Sequence, residues 1–397
     1  MKLAVINSGS SSIKFKLFYH TELDVLAHIL IEKIGESNSK TTLHYKDGKK
    51  VFLSAIKDHH EGLEQIAYLL AKEQILDDFC SLDLMAHRVV HGGEYFSEAT
   101  YINGYVLEKI KELIPLAPLH NGANLEGIKI AMQKAPKVPQ IAVFDTAFHE
   151  SMPKEAFMYA LKHSMYDEHK IRRYGFHGSS HAYVMHETAK FLQQKSETLN
   201  IITLHLGNGA SACAIENGKS IDTSMGFTPL EGLVMGSRSG DMDPAVVLYM
   251  QRVLGYGINE VDRILNNESG LLGICDIMDV RSILEQDDEA SQLAIKMMVR
   301  RIKKYIGAYM ALLGRVDAIV FTGGIGENSV LIREKVLQTI GFGIELDLDA
   351  NKEGSICIST KESLIKILVI RTDEELEIAK ESLKLLEKQP ICSLEIK

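Results

Sequence analysis

The sequence predicts an α/β protein that contains one folding theme twice. Short apolar runs alternate with helical patterns along the whole chain, which is the signature of α/β architecture. A design of strand, small-residue turn and strand also occurs once in each half. It reads VINSGSSSIKF from Val5 and TLHLGNGASACAI from Thr203. A tight turn of small residues lets backbone N–H groups approach an anion. Two such turns therefore suggest a duplicated domain that holds phosphate.

Taken in order, residues 3–6 and 13–18 read as strands around the polar turn 7–12, and residues 25–31 and 51–55 as further strands. Asp58 caps a helix whose apolar stripe is Leu63, Ile66, Ala67, Leu69 and Leu70. Apolar runs at 85–90 and 141–144 end in polar residues. In the second half, strands at 201–204 and 211–215 flank Gly207-Asn208-Gly209. Asp243-Pro244 opens a helix as N-cap and first-turn proline. Residues 291–313 form a long amphipathic helix, and the strand 317–322 runs into Gly323-Gly324-Ile325-Gly326-Glu327-Asn328 and a further helix. A last strand, 365–370, precedes a terminal helix opened by Thr372. Met152-Pro153 suggests a boundary, giving one domain over 1–150 with helix 373–397 packed back on it, and a second over 151–372.

The 397 residues, 46% hydrophobic and 24% charged, can bury full cores in two or three domains. A net charge of −9 without a basic block argues against a nucleic-acid partner. No apolar run is long enough for a membrane span, and five cysteines without a C-x-x-C pair read as free thiols of a cytoplasmic protein. No G-x-x-x-x-G-K-[ST] motif occurs. Gly207-x-Gly209-x-x-Ala212 leads into a strand rather than a helix, so it is not a dinucleotide fingerprint. His177 and His181 lack a neighbour that would complete a metal shell.

Other constellations point to anion chemistry. Asn7, Ser10, Ser12 and Lys14 share one hairpin, which reads either as a phosphate cradle or as a polar β-turn. Three glycines at Gly323, Gly324 and Gly326, between a buried strand and a helix, favour a nucleotide or phosphate. Arg88 lies in an apolar strand before His91-Gly92-Gly93, and Arg238 in a glycine-rich loop. Each can clamp a carboxylate or phosphate, or pair structurally with Glu94 or Asp241 respectively. Asp145 ends its strand. Thr372 and Glu375 read as a capping box, which leaves Glu374 available for a metal.

At these residues the chain resembles the acetate kinase family. The ordered motifs NSGSSSIKF, HRVVHGG, FDTAFH, YGFHGSSH, HLGNGAS, GFTPLEGLVMGSRSGDMDP, GGIGEN and TDEE carry the resemblance from Asn7 to Glu375. It implies duplicated RNase H-like (actin-like, ASKHA) domains with an active-site cleft between them, shared with sugar kinases, heat-shock chaperones and actin. It also implies a homodimer and reversible transfer of phosphate from ATP to acetate with Mg²⁺, or Mn²⁺ in its place. By the same resemblance Asn7 and Glu374 attend the metal, and Ser10, Ser12 and Lys14 the phosphates. Arg88, Asp145, His177 and Arg238 form the catalytic set. His205, Leu206, Gly207, Asn208, Gly209, Asp279, Val280, Arg281, Gly324, Ile325, Gly326, Glu327 and Asn328 hold the nucleotide. Arg88 also contacts the acid, and Val90, Leu119, Phe176 and Pro229 surround its methyl group. The sequence departs from the family's usual pattern at Ser179 and Ser237, where threonine is common, and at Asp373, where asparagine is usual. A propionate or butyrate kinase shares these expectations. A non-enzymatic ATP-regulated protein of the chaperone or filament kind would need the hairpins but not both arginines.

Overall fold

The computed structural model describes residues 1–19, 22–118 and 120–390. The chain forms two compact units, one of Met1–Ala147 with Asp373–Lys397, the other of Phe148–Thr372.

The first unit is built on an eight-stranded sheet. Its strands are β1 (Lys2–Ser8), β2 (Ser12–Tyr19), β3 (Asp24–Glu32), β4 (Lys40–Tyr45), β5 (Gly48–Leu53), β6 (Leu84–Val89), β7 (Thr100–Tyr101) and β8 (Gln140–Phe144), in the order β5-β4-β3-β2-β1-β6-β8-β7. Strands β1 to β5 form an antiparallel meander, while β6 is parallel to β1 and β8 to β6. Both faces are covered, because successive side chains of β1 point to opposite sides. Ala4 and Ile6 join Leu63, Ile66 and Leu70 of the helix His59–Lys72. Leu3 and Val5 join Ile378, Ala379 and Leu385 of the helix Glu374–Lys388.

The second unit has a five-stranded sheet of β9 (Asn200–Leu206), β10 (Ala210–Glu216), β11 (Lys219–Thr223), β12 (Ala318–Thr322) and β13 (Lys366–Val369), in the order β11-β10-β9-β12-β13. Strands β9 to β11 are antiparallel, and β12 and β13 run parallel to β9. This is the pattern β3-β2-β1-β6-β8 again, strand for strand. The duplicated α/β fold expected from the two hairpins is therefore present. Val184, Met185 and Ala189 of the helix Gly178–Leu192 close one face over Ile201, Cys213 and Val320.

Asp58 caps its helix as expected, its side chain accepting from the Glu61 amide. The terminal helix differs. Its N-cap is Asp373, whose Oδ1 accepts from the Leu376 amide at 2.9 Å, not Thr372. The Thr372 N–H is already given to Glu327 Oε1 at 3.1 Å. Glu375 thus lies in the first turn without a capping-box role. Aspartate and asparagine cap equally well, which accounts for Asp373, and it also pairs with Lys16. The helix after Asp243 begins one residue late, at Ala245, because Pro244 takes the N-cap position. No helix among the described residues is long and apolar enough to cross a membrane.

Three buried histidines set an acid limit. Burial lowers the pKa of His87 and His149 to about 4, and that of His181 well below the ordinary 6.5. A histidine with a depressed native pKa costs nothing above the unfolded value. Its contribution to stability is lost as pH falls from 6.5 towards the native value, because the unfolded chain binds the extra proton. Thermal unfolding should therefore show stability dropping between pH 6.5 and 4, by on the order of 3 kcal/mol each for His87 and His149. His87→Gln should flatten that slope, and an unchanged slope would refute the assignment.

Candidate active site

In the first unit the candidate residues gather at the carboxyl ends of adjacent parallel strands, where open α/β sheets hold ligands. Ile6 is level with His87, and Arg88 with Val143. Asn7, Arg88 and Asp145 therefore follow at the ends of β1, β6 and β8. The Asp145 amide continues the ladder by donating to Val89 O at 2.9 Å. Arg88 forms a fork on Asp145, Nε to Oδ1 at 3.0 Å and Nη2 to Oδ2 at 2.5 Å. Its Nη1 reaches Asn7 Oδ1 at 3.4 Å, and its Nε lies 3.7 Å from Glu374. Burial by itself would lower the Arg88 pKa, but the Asp145 and Glu374 carboxylates more than offset this and hold it above its ordinary value. The structural partner of Arg88 is thus Asp145, not the nearby Glu94 that sequence proximity suggested.

The β1–β2 hairpin turns over Gly9-Ser10-Ser11, with Asn7 opposite Lys14. Its Gly9 carbonyl meets His59 Nε2 at 2.6 Å. Ser10 and Lys14 are exposed, and Lys14 lies 4.0 Å from Glu375. Val90 is buried, and its amide donates to Asn124 Oδ1 at 3.0 Å. Asn124 Nδ2 donates to Ser8 O, and Asn121 holds the His91 backbone through both its side-chain atoms. These two buried asparagines brace the strand ends that carry Asn7 and Arg88. Sequence reasoning missed them, although polar residues three apart on a helix, in HNGANLEG, were a signal. Leu119 lies outside the described residues.

In the second unit Arg238 sits in a loop shaped by glycines. Gly270 has φ +64°, and a Cβ there would stand 2.2 Å from Met235 O and 2.7 Å from Arg238 O. Arg238 donates from Nη1 to the Pro229 carbonyl at 2.8 Å, and burial lowers its pKa. No carboxylate among the described residues pairs with it. Asp241, the expected partner, instead accepts from the Gly232 amide and Tyr305 and pairs with Arg301 at 3.3 Å. A partly buried guanidinium without a carboxylate partner can take an anion.

His177 stands beside it. A Cβ at Gly209 would lie 3.4 Å from both Arg238 Nη2 and His177 Nε2, so the two side chains face the same space beside this glycine. His177 has φ +57°, a left-handed conformation rare for a side-chain-bearing residue, at the start of the Gly178–Leu192 helix. Its Nδ1 meets Ser211 Oγ at 2.9 Å, and the same hydroxyl meets His181 Nε2 at 2.8 Å. His181 Nδ1 in turn meets Thr203 Oγ1 at 2.7 Å. The ring of His177 stacks on His205 with centroids 4.2 Å apart. Phe176 is buried next to His177 in the chain, and its carbonyl accepts from His149 Nε2 at 2.9 Å. Ring orientation is therefore fixed from behind, with Nε2 facing the Gly209 space.

A cavity of about 820 Å³ in this unit is lined by three segments: Gly207 and Asn208, then Met278 to Arg281 with Leu284, then Gly324 and Ile325 with Asn328 to Leu331. Of these, Gly207, Asn208, Asp279, Val280, Arg281, Gly324, Ile325 and Asn328 are residues that the family resemblance assigned to the nucleotide. His205, Leu206, Gly209, Gly326 and Glu327 do not line it. Glu327 Oε1 accepts from the amides of Gly323 and Thr372, which ties the end of β12 to the stretch after β13. Its lining mixes apolar residues such as Val280, Ile325 and Leu331 with polar ones such as Asn208 and Asn328, and Arg281 among them is held by Asp279.

The model of the acetokinase family matches residues 2–380. An acetate kinase of Sulfurimonas denitrificans is 62% identical over 387 residues, 97% of this chain and 100% of that one. One from a Sulfurovum species is 52% identical over 390 residues, 96% and 98% of the two chains. Among solved structures, a Porphyromonas gingivalis acetate kinase matches with TM-score 0.89 and 42% identity over 97% of this chain and 99% of that one. A Francisella tularensis propionate kinase matches with TM-score 0.91 and 42% identity over 96% and 98%.

Proposed function

The chain belongs to the acetokinase family, and on that premise we propose that it transfers the γ-phosphoryl group of ATP reversibly to acetate, directly and in line. Acetate, with a pKa near that of aspartate, is ionised at pH 7, so no base is needed to make the nucleophile. One carboxylate oxygen bonds to phosphorus as the bond to the ADP oxygen breaks, and ADP leaves with that electron pair. The barrier lies in bringing two anions together and in the charge of the transferring group. The observation that carries the reading is the counter-ion-free guanidinium of Arg238 beside Nε2 of His177, a donor pair arranged for phosphoryl oxygens. Arg88, oriented by Asp145, meets the acetate carboxylate. Ser10, Ser12 and Lys14 attend the phosphates, and the 207–208, 278–284 and 324–331 segments hold the nucleoside.

Asn7 and Glu374 offer an amide oxygen and a carboxylate, the hard donors that Mg²⁺ takes, and Mn²⁺ accepts the same set. Among the described residues no group of three or more His, Cys, Asp or Glu suits a metal. Two protein donors suffice for an ion that completes its shell with phosphate and water. When bound, the ion neutralises phosphate oxygens. Glu374→Ala should raise the half-saturating Mg²⁺ concentration by about tenfold or more. A superimposable Mg²⁺ titration would remove Glu374 from the metal.

Acetate is favoured over propionate by the 62% and 52% identities to acetate kinases; the solved acetate and propionate kinases match equally, at 42%. We assign Val90, Phe176 and Pro229, with Leu119, to the methyl group. Such walls discriminate by about 10–200-fold per methylene. Val90→Ala should therefore raise the propionate-to-acetate ratio of kcat/KM, chiefly through KM for propionate, measured as acyl phosphate trapped with hydroxylamine. If Val90 is only a core residue, stability falls and the ratio stays. Exposed Val246, Leu248, Tyr249, Val253, Leu254 and Ile258 support a homodimer, which sedimentation showing only 44.2 kDa monomers would refute.

A further inference from the structure

A second cavity, of about 830 Å³, lies in the Phe148–Thr372 unit next to the nucleotide cavity, with Leu284 and Leu331 in the walls of both. It is formed by the helices Glu289–Leu313 and Val330–Leu337 and the stretch 283–287. Buried Ile283, Ile295 and Val299 make an apolar floor. Above it stand Lys296, Arg300, Lys303, Lys304 and Lys335, and Asp287 is the one acid in the wall. The balance is reversed from that of the chain, which has 53 acidic residues to 44 basic.

The arrangement is unfavourable without an anion. Lys296, Arg300 and Lys304 follow one another at four-residue spacing, which puts like charges side by side over about 12 Å of one helix face. Some exposed lysines elsewhere have carboxylate neighbours, as in Lys50–Glu73, Lys190–Glu187 and Lys384–Glu381. Among the described residues none of Lys296, Arg300, Lys304 or Lys335 forms an ion pair. Lys303 donates to the Gln338 carbonyl, which ties the two helices together at the cavity's edge. A concave surface lined by one sign of charge concentrates counter-ions. Five cations facing one acid call for a ligand with several charges close together, which linked phosphates supply and simple carboxylic acids do not.

We propose that this cavity binds a multiply charged phosphate compound, at a site separate from the nucleotide cavity. The shared chemistry is a chain of phosphates. A nucleotide would also use the apolar floor, and a free polyphosphate would use the cations alone. The proposal stands apart from the acetate assignment, because its test measures binding without turnover.

The test compares the wild-type chain with Lys296→Glu/Arg300→Glu, whose two positions are exposed and outside the proposed catalytic set. In equilibrium dialysis with labelled ADP, the wild type should take up two equivalents per chain. The variant should keep the first and bind the second more than about tenfold more weakly. In a parallel arm, enzyme saturated with ADP is acetylated with and without linear tripolyphosphate, and modification is read by mass spectrometry. Protection of Lys296, Lys304 and Lys335 by added tripolyphosphate, with only one equivalent of ADP bound, supports the site and identifies its ligand as free polyphosphate. A second ADP equivalent lost in the variant supports it with a nucleotide as ligand. A second equivalent retained by the variant, or one equivalent of ADP with no protection by tripolyphosphate, overturns the proposal.

Discussion

Arg238→Ala should lower kcat by about 10²–10³-fold while the protein stays folded, the loss expected when one preorganised donor to a developing charge is removed. The wild-type side chain touches only the Pro229 carbonyl among the contacts that would hold it, so its removal strands no carboxylate. Thermal stability should accordingly change little, by about 1 kcal/mol or less for the one hydrogen bond. KM for acetate should move less than kcat if the group acts mainly on the transferring phosphoryl. A folded variant with near-normal turnover would remove Arg238 from the reaction.

Arg88→Ala should be at least as damaging, and for two separable reasons. It removes the cation that we assign to the acetate carboxylate, and it leaves Asp145, with a side chain 2% exposed, without its fork. Breaking a buried pair in this way costs on the order of 3–5 kcal/mol, so the alanine variant should lose stability as well as about 10³-fold in kcat/KM. Arg88→Lys keeps one charge near Asp145 but cannot hold both carboxylate oxygens. It should remain folded and still lose about tenfold or more in kcat/KM. If Arg88→Lys melts normally and turns over normally, the residue is a structural partner of Asp145 and nothing more.

Much of this arrangement was legible in the sequence where local chemistry decides. The hairpins follow from alternation around small residues, and the Asp58 cap from a residue type that serves only a few roles. Two of the three segments that line the cavity of about 820 Å³ were readable because glycine and a strand-to-helix junction carry their own conformational meaning, while Asp279, Val280 and Arg281 were named only by the family resemblance. What escaped was set by distant partners. Asp241 is next to Arg238 in the loop but is taken by Tyr305 and Arg301, 64 and 60 residues away. Thr372 and Asp373 are both competent caps, but the Thr372 hydroxyl accepts from Ser180, 192 residues away, and its amide is held by Glu327, 45 residues away, so Asp373 makes the cap. Asn121 and Asn124 look like solvent-facing residues, and only the β1 and β6 backbone ends above them make them buried braces. Strand β4, KTTLHY, carries too few apolar residues to announce itself and is ordered by pairing with β3 and β5.

The most direct test of the central claim is the stereochemical course of the reaction with ATP made chiral at the γ-phosphorus by oxygen isotopes, run with acetate. Direct in-line transfer predicts acetyl phosphate formed one for one with ADP and with inverted configuration at phosphorus. Retained configuration, or ADP released without acetyl phosphate, would contradict the account.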